Sequence, residues 1–166
     1  MLLKATSRNI CLLTILLINI SCDQISKSII RKELIPQQEI TVIPNHITLT
    51  HVENSGAFLS LGSSLPSTLK FILLSLIPAG ILTTALIFLF TQKQVGRSAQ
   101  IALCFVVGGG LGNLYDRIFR GSVTDFLHID FMIFQTGIFN LADVSIMTGI
   151  ALFLFSRSGQ EADSLT

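Results

Sequence analysis

Four stretches of the chain are almost free of charge, and their lengths suit the thickness of a lipid bilayer. A spanning helix needs about 20 residues, because the apolar slab is ~30 Å thick and each helical residue rises ~1.5 Å. Segments 70–92 and 98–117 carry charge only near their ends, and segment 138–156 has the single charge Asp143 near its start. Pro78 lies inside the first of these, where a membrane helix accommodates it as a kink. The remaining span is less simple. Its uncharged run, 9–22, is too short alone and must continue through Asp23 and Lys27 to about residue 30. Those two charges are four apart, which puts acid and base on one helical face, able to share their desolvation cost and point toward protein.

The intervening segments place a long loop, 31–67, and a second loop, 118–137, on one side of the membrane, with a short link, 91–97, on the other. In the long loop, Ile40 to Ile43 and His46 to Val52 have strand composition with partial alternation, divided by Pro44-Asn45. Asn54-Ser55-Gly56 signals a turn, and Ala57 to Leu61 reads either as a further strand or as an apolar edge resting on the bilayer. The expectation is an all-α membrane protein: four transmembrane helices, at 9–30, 70–92, 98–117 and 138–156, with a small extracytoplasmic β-sheet between helices 1 and 2, in a single domain over residues 1–166.

Composition sharpens this. Half of the 166 residues are hydrophobic, 11 are basic and 10 acidic, and tryptophan is absent. Charged side chains are thus about half as frequent as the roughly 25% of soluble domains. The basic residues are scattered and form no stripe, so a nucleic-acid partner is not expected. Cys11, Cys22 and Cys104 sit in hydrophobic runs without CxxC spacing and read as small apolar core residues. His46, His51 and His128 form no metal-binding pattern, so neither metal nor cofactor is expected. Lys4 and Arg8, followed by an apolar run and Ser21-Cys22, resemble a secretory signal ending at a lipid-accepting cysteine. Against that, Asn19 and Ile20 are poor small-residue substitutes, and losing this helix leaves an odd number of spans.

Even spans put both termini on one side. The termini and short link carry Lys4, Arg8, Lys93, Arg97 and Arg157, while the other face carries the remaining six basic residues, so the positive-inside rule does not decide the orientation. The acids are less ambiguous, since eight of the ten lie on the long-loop face. Asp143 is an acid just inside a span, which marks a functional-site candidate by the cost of burying charge there. Asp125, in the preceding loop on the same side of the membrane, is its expected partner. Two carboxylates that meet would share one proton, giving a base and an acid suited to water-driven peptide hydrolysis without a covalent intermediate. A serine nucleophile at Ser55 or Ser122 would need Lys27 as its base. Gly108 and Gly112 form a GxxxG spacing for close helix approach, and Asn113, Asp116 and Arg117 concentrate polar groups at one boundary, as Asn140 and Asp143 do at another.

Taken in order, Asp23-Gln24-Ile25-Ser26-Lys27, Asn54-Ser55-Gly56-Ala57, Gly109 to Arg117, Val123-Thr124-Asp125-Phe126 and Phe139-Asn140-Leu141-Ala142-Asp143 resemble the motifs of bacterial lipoprotein signal peptidase, or signal peptidase II. The resemblance implies an aspartyl endopeptidase of the bacterial cytoplasmic (inner) membrane that cuts a prolipoprotein before its diacylglyceryl-modified cysteine. It implies Asp125 and Asp143 as the catalytic dyad. Asn54, Gly56, Asn113, Arg117 and Asn140 would line the substrate site, and Asp23, Lys27 and Asp116 would form its polar support. It further implies cytoplasmic termini, a dyad near the outer face, membrane lipid around the substrate, and inhibition by globomycin-type cyclic peptides. Phe58-Leu59 departs from the family's usual small residue and aromatic after Gly56-Ala57. The rival readings are a small transporter or proton-relay protein with Asp143, Asp23 and Lys27 along a polar path, and an assembly subunit paired through Gly108 and Gly112.

Overall fold

In the computed structural model, which describes residues 2–57, 60–92 and 94–163, the chain folds as four helices capped at one end by a small sheet. The elements in order are α1 (Leu2–Glu33), β1 (Glu39–Ile43), β2 (Ile47–Asn54), α2 (Ser67–Thr91), α3 (Arg97–Arg120), β3 (Val123–Ile129) and α4 (Leu141–Asp163). Lys93 of the charge count lies outside the described residues.

The helices are inverted relative to those of a soluble protein. On α1 the buried positions Leu12, Leu16, Asp23, Lys27 and Ile30 recur at spacings of three, four and seven and form one stripe against the bundle. The opposite face presents Ile10, Leu17, Ile18, Ile25 and Ile29 outward. Apolar surface therefore covers the outside while several of the buried side chains are charged. Cys104 is buried as expected, but Cys11 and Cys22 are exposed on the outward face of α1 and do not belong to the core.

Among the described residues, three helices are long and apolar enough to cross a membrane: Thr6–Glu33, Ser67–Thr91 and Arg97–Arg120. The apolar part of α4, Leu141–Ser156, is shorter. Helix α4 starts at Leu141 instead of near residue 138, because the chain up to Phe139 is still bonded to β3, with the Phe126 and Leu127 N–H groups both donating to the Phe139 carbonyl. Within α2, a π-helical turn at Ile72–Leu76 directly precedes Pro78. Proline has no N–H and its ring displaces the carbonyl four residues back, so a widened turn relieves the clash.

Helix α3 is the hub of the bundle. A Cβ added to Gly112 would meet Asp23 Oδ2 at 2.5 Å, and one added to Gly108 would meet Asn19 Cβ at 2.9 Å, so the GxxxG face seats α1. The α3 helix ends at Gly121, whose φ of 79° lies in the left-handed region and whose N–H donates to the Arg117 carbonyl at 3.2 Å. That stop turns the chain directly into β3.

The sheet differs from the expected one in its third member. Its order is β1-β2-β3, antiparallel throughout, so the third strand comes from the loop between α3 and α4 and not from Ala57 to Leu61. Ala57, Ser60 and Leu61 lie in turns, and Phe58 and Leu59 lie outside the described residues. The sheet is consequently not confined to the segment between the first two spans. Its β2–β3 register passes from Leu49↔Leu127 to Val52↔Asp125, leaving Thr50 and His51 opposite Phe126. This bulge turns two consecutive residues inward, and both are buried. Ile30, Leu34 and Phe126 form the apolar contact that seats the sheet on the end of α1.

Candidate active site

Two short devices in the sequence bring the acids together. The first is the start of α4, where Asn140 and Asp143 cap the helix reciprocally. The Asp143 N–H donates to Asn140 Oδ1 at 3.0 Å, and the Asn140 N–H donates to Asp143 Oδ2 at 3.2 Å. This is a capping box with Asn and Asp in place of Ser/Thr and Glu/Gln. Asp143 thus lies in the first turn of the helix, shallower than a start near residue 138 implies. The second device is β3, whose pairing with β2 sets Asp125 opposite Val52 and beside Asn54.

Every oxygen of the two carboxylates receives an N–H. Asp125 Oδ1 accepts from Asn140 Nδ2 at 2.6 Å, and Asp125 Oδ2 accepts from Asn54 Nδ2 at 3.0 Å. Asp143 Oδ1 accepts from Asn113 Nδ2 at 2.9 Å, and its Oδ2 is taken by the cap. Asn140 Nδ2 also donates to Asn113 Oδ1 at 3.2 Å. The acids are therefore linked through two amides, one from α3 and one from the α4 cap, which fix both carboxylates in place. Asp125 is 5% exposed. Burial pushes its carboxyl up to about 6, with the hydrogen bonds from Asn54 and Asn140 opposing and the nearby charge of Asp143 adding to the rise.

Behind the amides lies a buried ionic cluster. Lys27 Nζ donates to Asp23 Oδ2 and to Asn113 Oδ1, both at 2.8 Å, and pairs with Asp116 Oδ2 at 2.8 Å. All three charged side chains are fully buried. Asp23 Oδ1 accepts the Ala142 N–H at 2.9 Å, which ties α1 to the first turn of α4. Gln24 Nε2, which the sequence offers only as part of a motif, donates to the Gly112 carbonyl at 3.1 Å. Asp116 Oδ1 has Arg31 and Arg120 at 3.5 Å but no hydrogen bond. The three hydrogens of the Lys27 ammonium are engaged by Asp23, Asn113 and Asp116, so the serine alternative lacks a free base.

The loop after β2 is folded onto this assembly. Asn54 Oδ1 accepts the Gly56 N–H at 2.9 Å and Asn54 Nδ2 also donates to the Ala57 carbonyl at 3.0 Å, so one side chain both shapes the turn and holds Asp125. Gly56 has no room for a side chain, since a Cβ would lie 2.6 Å from the Leu61 carbonyl oxygen. Arg117 donates from Nη2 to the Gly56 carbonyl at 3.1 Å, while its buried Nε has no partner. A cavity of about 520 Å³ opens beneath the sheet, lined by Thr48, Thr50, Asn54, Asp125 and His128 among others. A larger apolar groove of about 1020 Å³ between α2, α3 and α4 has no acid in its lining.

The structure therefore brings Asp125, Asp143, Asn54, Asn113 and Asn140 into one hydrogen-bonded set, attaches Gly56 and Arg117 to its rim, and stacks Asp23, Lys27 and Asp116 behind it. Among the described residues no group of three or more His, Cys, Asp or Glu has the arrangement to hold a metal ion. Glu53, Thr124 and Arg31 also form contacts around β3 that the sequence did not single out. The Asn140-x-x-Asp143 spacing was the readable signal for the cap, whereas nothing in a single sequence marks Glu53.

The family described as Signal peptidase (SPase) II matches residues 15–157. The lipoprotein signal peptidase of Borrelia turicatae is 36% identical over 138 residues, 80% of each chain. That of Clostridium novyi is 33% identical over 150 residues, covering 88% of this chain and 97% of the relative. Two bacterial membrane enzymes solved by the in meso method have similar folds, one with a TM-score of 0.80 at 26% identity over 92% of this chain and 90% of the other. The second has a TM-score of 0.75 at 28% identity, covering 88% and 91%.

Proposed function

Because the chain belongs to the signal peptidase II family of aspartic-type lipoprotein signal peptidases, we propose that Asp125 and Asp143 are its catalytic pair and hydrolyse the prolipoprotein signal peptide within the membrane boundary. The observation that carries this reading is the set of N–H donors that fixes all four carboxylate oxygens of the two acids around one amide-bridged site. Asp125, buried beneath the sheet and raised to about 6, holds the proton, and Asp143, half-buried in the first turn of α4, acts as the base. Asp143 takes a proton from a water molecule as the water oxygen bonds to the scissile carbonyl carbon, and Asp125 gives its proton to the carbonyl oxygen. The tetrahedral intermediate collapses when a hydroxyl proton returns to Asp125 and Asp143 passes its proton to the departing amine of the modified cysteine. No covalent enzyme intermediate forms.

Asn54, Gly56, Asn113, Arg117 and Asn140 contact the substrate or the acids, and Asp23, Lys27 and Asp116 brace them. Helix α4 is the fourth span, both termini are cytoplasmic, and the acids face the outer side of the bacterial inner membrane. The diacylglyceryl chains stay among the membrane lipids while the peptide reaches the acids beneath the sheet, a position that a globomycin-type cyclic peptide would also occupy. The transporter reading is weaker because the buried acids Asp23, Asp116 and Asp125 and the half-buried Asp143 cluster at one end of the bundle.

Purified protein tested on a precursor with and without its diacylglyceryl group distinguishes these ideas. Cleavage is expected for the lipidated precursor, much faster than for the unlipidated one, and unchanged by a chelator. Equal rates on the two precursors would remove the role of the lipid, and inhibition by the chelator would require a metal.

A further inference from the structure

We propose that Glu53 is a positioning residue for this site: its carboxylate ties the bulged strand β2, the strand carrying Asp125 and the end of α1 into one unit, and thereby fixes where Asp125 presents its carboxyl group. The inference rests on the dyad reading above.

Two hydroxyls donate to Glu53 and an imidazole nitrogen lies against it. Thr124 Oγ1 donates to its Oε1 at 2.7 Å, His51 Nε2 lies 3.1 Å from the same oxygen, and Ser122 Oγ donates to Oε2. An exposed carboxylate ordinarily bonds water; this one, with its side chain 37% exposed, is instead held by three side chains from β2 and the start of β3. Burial pushes its pKa up, but the bonds from Ser122, Thr124 and His51 outweigh this and hold it below the usual carboxylate range.

Thr124 transmits the constraint. It is fully buried and immediately precedes Asp125, so the alternation of the strand puts the two side chains on opposite faces of β3. The Thr124 hydroxyl has one hydrogen, given to Glu53, which leaves its lone pairs for Arg31 Nη1 at 2.7 Å. Arg31 lies 3.5 Å from Asp116, Asp116 pairs with Lys27 at 2.8 Å, and Lys27 donates at 2.8 Å to the Asn113 amide that holds Asp143. A continuous polar chain thus runs from Glu53, behind β3, to the support of the second acid.

His51 supplies the other anchor. The bulge turns it inward, where Nδ1 lies 2.8 Å from the Leu34 carbonyl and Nε2 3.1 Å from Glu53; both partners only accept, so β2 is tied on both sides when the two ring nitrogens each carry a proton. Glu53 makes no bond to Asp125. Its influence runs through backbone placement, and small displacements of a reacting group are costly: about 1 Å can lower a rate by about 10²-fold.

The test uses the full-length protein and a lipidated precursor, with Glu53→Ala, Thr124→Val, Thr124→Ser and Asp125→Asn measured side by side. Glu53→Ala and Thr124→Val are each expected to lower kcat by about tenfold or more with KM changed by less than about twofold. Thr124→Ser keeps the hydroxyl but lacks the methyl and is expected to retain most of the wild-type rate, which a role of Thr124 in apolar packing alone would not allow. If Glu53→Ala fails to fold, the Thr124 pair still decides the matter. Wild-type kcat in Thr124→Val, loss in Glu53→Ala alone, or a raised KM at constant kcat would overturn the proposal. Full activity of Asp125→Asn would overturn the dyad reading beneath it instead.

Discussion

At Asp125 two opposed effects meet: the amides of Asn54 and Asn140 favour the carboxylate, while burial and the neighbouring Asp143 disfavour it and prevail, leaving the group at about 6. A raised folded value means that the ionised form is penalised by the fold. The penalty is fully present above about 6 and disappears as pH falls toward the unfolded value of 3.8, so this residue alone makes the protein more stable in that acidic window, by roughly 3 kcal/mol in all. The same titration governs the rate. With Asp125 as the proton donor, kcat/KM is expected to fall about tenfold per pH unit above about 6, because the free enzyme loses the required proton. A profile flat from pH 6 to 9 would show that Asp125 is not the donor. The sequence marks this residue through the order of motifs around it, since Asp130 lies closer to Asp143 in the chain; its amide partners come from elements that only the fold brings together.

Between elements, the binding agent is the buried cluster rather than apolar packing alone. Lys27 on α1 meets Asp116 and Asn113 on α3, and Asp23 on α1 bonds the Ala142 N–H of α4. Replacing Lys27 by Met keeps the volume but leaves Asp23 and Asp116 without their shared cation. Breaking a buried pair in this way costs about 3–5 kcal/mol, and thermal unfolding in detergent is expected to report a loss of that size together with reduced turnover. Wild-type stability in Lys27→Met would mean that the cluster contributes nothing to docking α1. Much of this was legible beforehand, since the four-residue spacing of Asp23 and Lys27 and the GxxxG of α3 both predict close, polar-faced helix contact. The sheet was less legible. Its first two strands have a strand-like composition, but β3 carries Asp125 and alternates poorly because its first four residues are all buried, so a period of two is hidden.

For the whole molecule, the arrangement is an apolar exterior around a polar end, with the sheet closing that end over the acids. Span counting reads the exterior directly, since segment length and lack of charge are local properties. The fourth helix begins at Leu141 and not near residue 138, because its start depends on a cap and on bonding of residue 139 to β3, both of which are tertiary. The site was traced through motif order, and its bracing by Glu53 and Thr124 was not, because a lone acid beside a turn has no distinctive pattern. In this proposal Asp125 and Asp143 perform hydrolysis together. Its most direct measurement is single-turnover cleavage of a lipidated precursor by Asp125→Asn and Asp143→Asn, each first confirmed as folded by its thermal transition. Each variant is expected to lose at least about 10³-fold in rate; near wild-type cleavage by either folded variant would contradict the account.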